Sequence, residues 1–153
     1  MNPDQLLIEI GERLADEIES ALGPWVMRSV TTVFEAWNGE MTDLVAADAS
    51  AAGLAATADL MPRLRKLLGA DVDDQWTNPL QLIRGSAVHA TEVLSRHGVG
   101  EVVRDDFAER MSPLDVYGLE PAGFVDIDTS LHELGLAWGA AKAKAHLARH
   151  RQA

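Results

Sequence analysis

The sequence predicts an all-α fold: a single-domain helical bundle of five or six main helices plus short capped turns. Three observations carry that prediction. Apolar residues recur every three or four positions along most of the chain. Helix-capping residues and Gly or Pro punctuate those stretches at helix-like intervals. No stretch alternates apolar with polar at the two-residue period of a strand. At 153 residues the chain is long enough for one sizeable core, so residues 1–153 are read as one helical domain. Its parts are acidic helices over 1–69, an acidic loop over 70–77, a central helix over 78–98, short helices and turns over 99–127, and a last helix over 128–150.

The first helix is expected over 3–22, where Leu6, Leu7, Ile10, Leu14, Ile18 and Leu22 share one side and Glu9, Glu12, Asp16, Glu17 and Glu19 take the others. Gly23-Pro24 is expected to stop or kink it. A second helix follows over 24–37 on Val26, Val30, Val33, Phe34 and Trp37, and Asn38-Gly39 ends it. A third starts from Thr42 as N-cap. Its residues Leu44, Ala47, Ala51, Leu54, Ala58 and Met61 form a narrow seam suited to tight antiparallel packing, inside one chain or across a dimer. Pro62 predicts a kink or break, after which Leu64, Leu67 and Leu68 carry the helix to Gly69, with Arg63, Arg65 and Lys66 at its negative end.

The segment 78–98 is the most clearly marked helix, and the other helices are expected to pack around it. Asn78 caps it, Pro79 takes the first turn, and Gly98 follows Arg96 and His97 at its end. Leu80, Ile83, Ala87, Ala90 and Leu94 form one row, and Leu82, Ser86, His89 and Val93 a second, as in a helix wedged between neighbours. Gly85 inside it costs about 1 kcal/mol relative to Ala, which predicts close approach of another backbone. Beyond it, a helix is expected over 101–111 with Val103 and Phe107 inward, then turns over 112–118 and 120–127. Asp128 or Ser130 caps the last helix, with Glu133 in its first turn and Leu131, Leu134, Trp138, Ala141 and Ala145 as its stripe. The small-residue row Gly135, Gly139, Ala143 predicts a second close backbone contact.

Composition narrows the function. The formal net charge is −11, and residues 1–60 hold eleven acidic side chains against two basic ones. Such a surface is poorly suited to phosphate backbones, so nucleic acid is not the expected partner. The basic end, with Lys142, Lys144, Arg149 and Arg151, would be the one place for an anionic contact. There is no cysteine, which removes disulfides and thiolate metal sites. The acidic start MNPDQLLIEIGERLADEIES does not read as a secretory signal, and no uninterrupted apolar run reaches a membrane-spanning length. The expectation is a cytoplasmic protein with no membrane contact.

No catalytic set is assembled in the sequence. His132-Glu133 resembles the start of the zinc-protease motif HExxH, but Leu136 stands where the second ligand belongs. Asp126, Asp128 and His132 are weak metal candidates. Capping by Asp128 explains them more simply, so no metal or other cofactor is expected. His146 and His150 sit where cationic side chains suit the helix dipole. The aromatic residues Trp76, Tyr117 and Phe124 fall in loops and turns, where such rings often anchor a partner, and 111–127 reads as an ordered lid. The leading expectation is a non-enzymatic regulatory or scaffolding protein acting through a protein partner or as a homodimer, with Trp76, Tyr117 and Phe124 as its surface. The alternative is a small-molecule or metal-binding enzyme or ligand sensor, with Arg84, His89, Glu92 and His132 lining a pocket between the central and last helices.

Overall fold

Asn2 begins the longest element. Its side-chain oxygen accepts the Gln5 backbone N–H at 2.7 Å, Pro3 follows, and helix α1 runs unbroken over Pro3–Asn38. In this computed structural model, which describes residues 2–69, 78–99, 121 and 123–151, the remaining elements are α2 (Asp43–Leu68), α3 (Pro79–Gly85), α4 (Ala87–Arg96), a 3-10 turn (Phe124–Asp126) and α5 (Leu131–Arg151). Every regular element among the described residues is helical, so the all-α fold class is correct. The expected loop over 70–77, the helix over 101–111 and the turns over 112–118 lie outside the described residues.

Two expected helices are one. Pro24 lies inside α1 and does not end it. Pro24 and Ser20 are both exposed, so the carbonyl that loses its hydrogen-bond donor lies on the water side. Ala21, Leu22, Trp25 and Val26 on the other side are buried, and their packing holds the helix through the proline. Pro62 in α2 repeats the arrangement, with Pro62 and Ala58 exposed between buried Met61 and Leu64. Gly39, with φ of 88°, then closes α1 through its N–H to the Glu35 carbonyl at 2.8 Å.

The expected organiser also changes. α1, rather than the 78–98 segment, touches α2, α4 and α5. Its pairing with α2 is close because glycines meet there. A Cβ on Gly53 would lie 2.9 Å from the Gly23 carbonyl oxygen, and a Cβ on Gly11 would lie 2.9 Å from that of Leu68. The face α2 turns inward is Val45, Ala49, Ala52, Gly53, Ala56, Leu60, Met61, Leu64 and Leu68. Of the six seam residues expected to pack, only Met61 is buried; Leu44, Ala47, Ala51, Leu54 and Ala58 face out. α2 carries two apolar faces, and the one bearing Gly53 and the larger leucines goes to the core.

The 78–98 helix is split at Ser86. The buried Ser86 hydroxyl donates to the Ile83 carbonyl at 2.5 Å, competing with the helical ladder, and Ser86 N–H takes the same carbonyl at 3.0 Å. Of the two inward rows, Ile83, Ala87, Ala90 and Leu94 of the first and Ser86 and Val93 of the second are buried, while Leu80, Leu82 and His89 are half-buried. Among the described residues no atom outside its own helix lies within 4 Å of where a Gly85 Cβ would be, so Gly85 adjoins the break rather than a second backbone. The small row of α5 is likewise not a backbone contact. Gly135 faces the Phe124 ring, and Gly139 and Ala143 are exposed. Among the described residues nothing outside its own helix lies within 4 Å of a Cβ on Gly139, so Gly139→Ala should raise stability by up to about 1 kcal/mol. A thermal melt followed by circular dichroism will read this as a rise in Tm; a fall would mean that something covers that face.

Candidate interaction surface

Of the three aromatic residues expected to form a surface, Trp76 and Tyr117 lie outside the described residues. Phe124 is half-buried on the 3-10 turn, its ring seated on Gly135 of α5. The four residues expected to line a pocket have separate roles. Arg84 Nε donates to the Pro121 carbonyl at 2.9 Å. His89 Nε2 lies 3.6 Å from Asp59 of α2, whose same carboxylate oxygen also takes Arg63 at 3.1 Å. Glu92 and His132 are exposed. No hydrogen bond or ion pair joins any two of the four, and they do not line the two cavities described below.

The weak metal candidates are engaged in turn geometry. Asp126 accepts the Gly123 N–H at 3.0 Å, closing the 3-10 turn, and Asp128 accepts the Ser130 N–H at 2.9 Å, leading into α5. Bonding to the Ser130 backbone and hydroxyl, with Arg28 nearby, holds the Asp128 carboxyl below its usual range. The ionised form is the one that caps, so its contribution is complete above the ordinary carboxylate value and fades as pH falls through the lowered one. Among the described residues no three His, Asp or Glu side chains are grouped to hold a metal ion.

What the structure does assemble lies on α1 and α2. Arg65 of α2 reaches two carboxylates on α1, Asp16 at 2.9 Å and Glu19 at 2.5 Å. These bonds raise the guanidinium pKa further, Asp16 contributing most. All three side chains are well exposed, so the clamp is worth only about 1 kcal/mol; its value is positional. Arg65 lines both of two cavities in the groove between α1 and α2. One, of about 450 Å³, is lined by Ile8, Gly11, Glu12, Ala15 and Asp16, and the other, of about 730 Å³, by Gly23, Pro24, Leu54, Met61 and Pro62. On another side of α2, Asp48 accepts from or pairs with His97 at 2.6 Å and lies 3.8 Å from Arg96, which fixes α4.

Beside the groove runs the outer seam of α2. Leu54 is 73% exposed and Leu44 66% exposed, with Ala47, Ala51 and Ala58 between and beyond them. Its charged neighbours Asp48 and Asp59 are turned toward α4. A helix apolar on both sides is ordinarily covered on both. By length and composition α2 is also apolar enough to cross a bilayer, although part of it is buried in the fold.

No protein-family model matches the chain, and neither a curated protein nor a solved structure matches it at a significant level. The periodicity of the seam is visible in the sequence; that it faces outward is not. The clamp joins residues 46 and 49 positions apart, and no local pattern signals it.

Proposed function

We propose that the protein acts by contact, as a non-enzymatic regulatory or scaffolding protein, and that its binding surface is the outer seam of α2 with the adjoining α1/α2 groove. The observation that carries this is the exposure of Leu44 and Leu54 on a seam otherwise made of the exposed Ala47, Ala51 and Ala58. Contiguous apolar surface of this kind marks interaction sites. A seam repeating at three and four residues beside a groove fits a helix laid along it, where i, i+3, i+4 and i+7 side chains serve as anchors. The formal charge of −11 supports a protein partner over nucleic acid.

A photo-crosslinking residue placed at Leu54 or at Leu44 of the full chain, in cells that express it, tests the reading. The expected result is a discrete protein adduct from both positions and none from Glu17, which is exposed on α1. Absence of any adduct from Leu54 and Leu44 would overturn the proposal.

A further inference from the structure

The groove between α1 and α2 changes character along its length. Gly11 meets Leu68 and Gly23 meets Gly53, so the two helices run antiparallel. The glycine pair that lets them close also leaves no side chain to fill the space above the crossing. That hollow is the larger cavity, about 730 Å³, bordered by Gly23, Pro24, Leu54, Ala58 and Pro62. It meets charge at one end, where Glu19 and Arg65 line it. The smaller cavity, about 450 Å³, lies further toward the start of α1 and holds Glu12 and Asp16 beside Ile8 and Ala15.

We infer that the partner laid along this groove is a basic amphipathic helix of another protein; this rests on the reading above that seam and groove are a binding surface. Charge complementarity carries it. Glu12, Asp16 and Glu19 set three carboxylates on the groove edge of α1, and among the described residues Arg65 is the one base that lines either cavity. Arg65 is already held by Asp16 and Glu19, and Glu12 has no ion pair among the described residues. Three carboxylates against one guanidinium leave two negative charges unmatched. The seam beside them, Leu44, Ala47, Ala51, Leu54 and Ala58, carries no charge. An occupant is therefore apolar where it covers Leu54 and the hollow, and cationic where it reaches Asp16 and Glu12. These two lie about 10 and 16 Å from Gly23 along α1, at 1.5 Å per residue. Apolar anchors with Lys or Arg about two and three turns further on are the pattern of a basic amphipathic helix.

The same carboxylates disfavour a bilayer as the occupant. A helix that lies on an anionic lipid surface flanks its apolar face with Lys and Arg. Here the flank toward α1 carries Glu12, Asp16 and Glu19, which such a surface repels. Toward a basic helix the sign reverses, and the acids speed encounter and fix its direction in the groove.

Fluorescence anisotropy of a labelled peptide, leucine and lysine at amphipathic helical spacing over about 18 residues, titrated with the full chain, tests this. Binding should be on the order of micromolar and should weaken as salt is raised. Leu54→Gln should weaken it about tenfold, by removing an apolar contact, and Glu12→Lys about threefold. Both positions are exposed, so the helical spectrum should not change. Glu17→Lys alters the net charge as much as Glu12→Lys, but Glu17 lines neither cavity, and it should weaken binding less than about twofold. Equal losses from Glu12→Lys and Glu17→Lys would reduce the binding to attraction by the whole acidic chain and overturn the inference. A leucine–glutamine peptide of the same spacing that binds as tightly overturns it too, and leaves the apolar contact standing. The crosslink at Leu54 separates the two claims. An adduct through a segment rich in Lys and Arg supports both. An adduct through a neutral or acidic segment, or one of twice the chain mass, overturns only the basic helix, and no adduct overturns both. Binding of the free chain to phosphatidylcholine–phosphatidylglycerol vesicles that is lost in Leu54→Gln would assign the seam to a lipid surface and overturn the inference.

Discussion

Trp138→Ala is expected to cost about 3 to 5 kcal/mol of stability, the range for truncating a large buried aromatic. In a chain of this length that corresponds to a fall in Tm of roughly 6–20 °C. The reason lies at one carbonyl. Trp138 of α5 is buried, and its indole N–H donates to the Leu68 carbonyl at the end of α2, at 3.1 Å. That oxygen is also the atom a Cβ on Gly11 of α1 would meet at 2.9 Å. Three helices thus converge on a group that α2 itself leaves without a donor. Lys142 stands 5.2 Å from the ring centroid on its outer side and adds a modest cation–π term. Trp138→Phe separates volume from hydrogen bonding. It keeps most of the ring and loses the donor, and should cost about 1 to 2 kcal/mol. Chemical denaturation of both variants checks this; equal losses would mean that the indole N–H contributes nothing.

How much of this was legible beforehand depends on how local the cause is. Thr42 caps α2 through the Val45 N–H, Asn78 caps α3 through the Leu80 N–H, and Asp128 leads into α5, because each cap is a contact between residues two or three apart. Most of the inward rows of α1 and α4 were legible for the same reason, although Trp37, at the frayed end of α1, is exposed. Pro24 and Pro62 misled because their local penalty is outweighed by packing on the opposite side of the helix. The facing of α2 could not be read locally at all. Either of its two apolar sides satisfies the periodicity, and the decision is made by Gly53 finding Gly23, thirty residues away. The binding surface inherits that ambiguity, since the same seam serves equally as core or as contact.

Gly53→Leu is the second large effect expected, a loss of about 3 kcal/mol, at the upper end for overpacking a tight contact. A Cβ at Gly53 would stand 2.9 Å from the Gly23 oxygen and 3.1 Å from the Gly23 Cα, and both of these are backbone atoms that cannot rotate away. α1 and α2 would have to separate, loosening Leu22, Val26, Ala56 and Leu60 beside the crossing. The contact is not symmetric, and this gives a sharp control. A Cβ at Gly23 would approach Gly53 only to 3.8 Å, an ordinary van der Waals distance. Gly23→Ala should therefore keep the packing and gain the helix propensity of alanine, raising stability by up to about 1 kcal/mol. Gly53→Ala gains the same propensity, yet should lose about 1 to 3 kcal/mol because its methyl meets backbone. Opposite signs for one substitution at two facing glycines require the helices to cross where the structure has them cross. Equal and favourable shifts in both would place the crossing elsewhere, and the outward facing of Leu44 and Leu54 would fall with it.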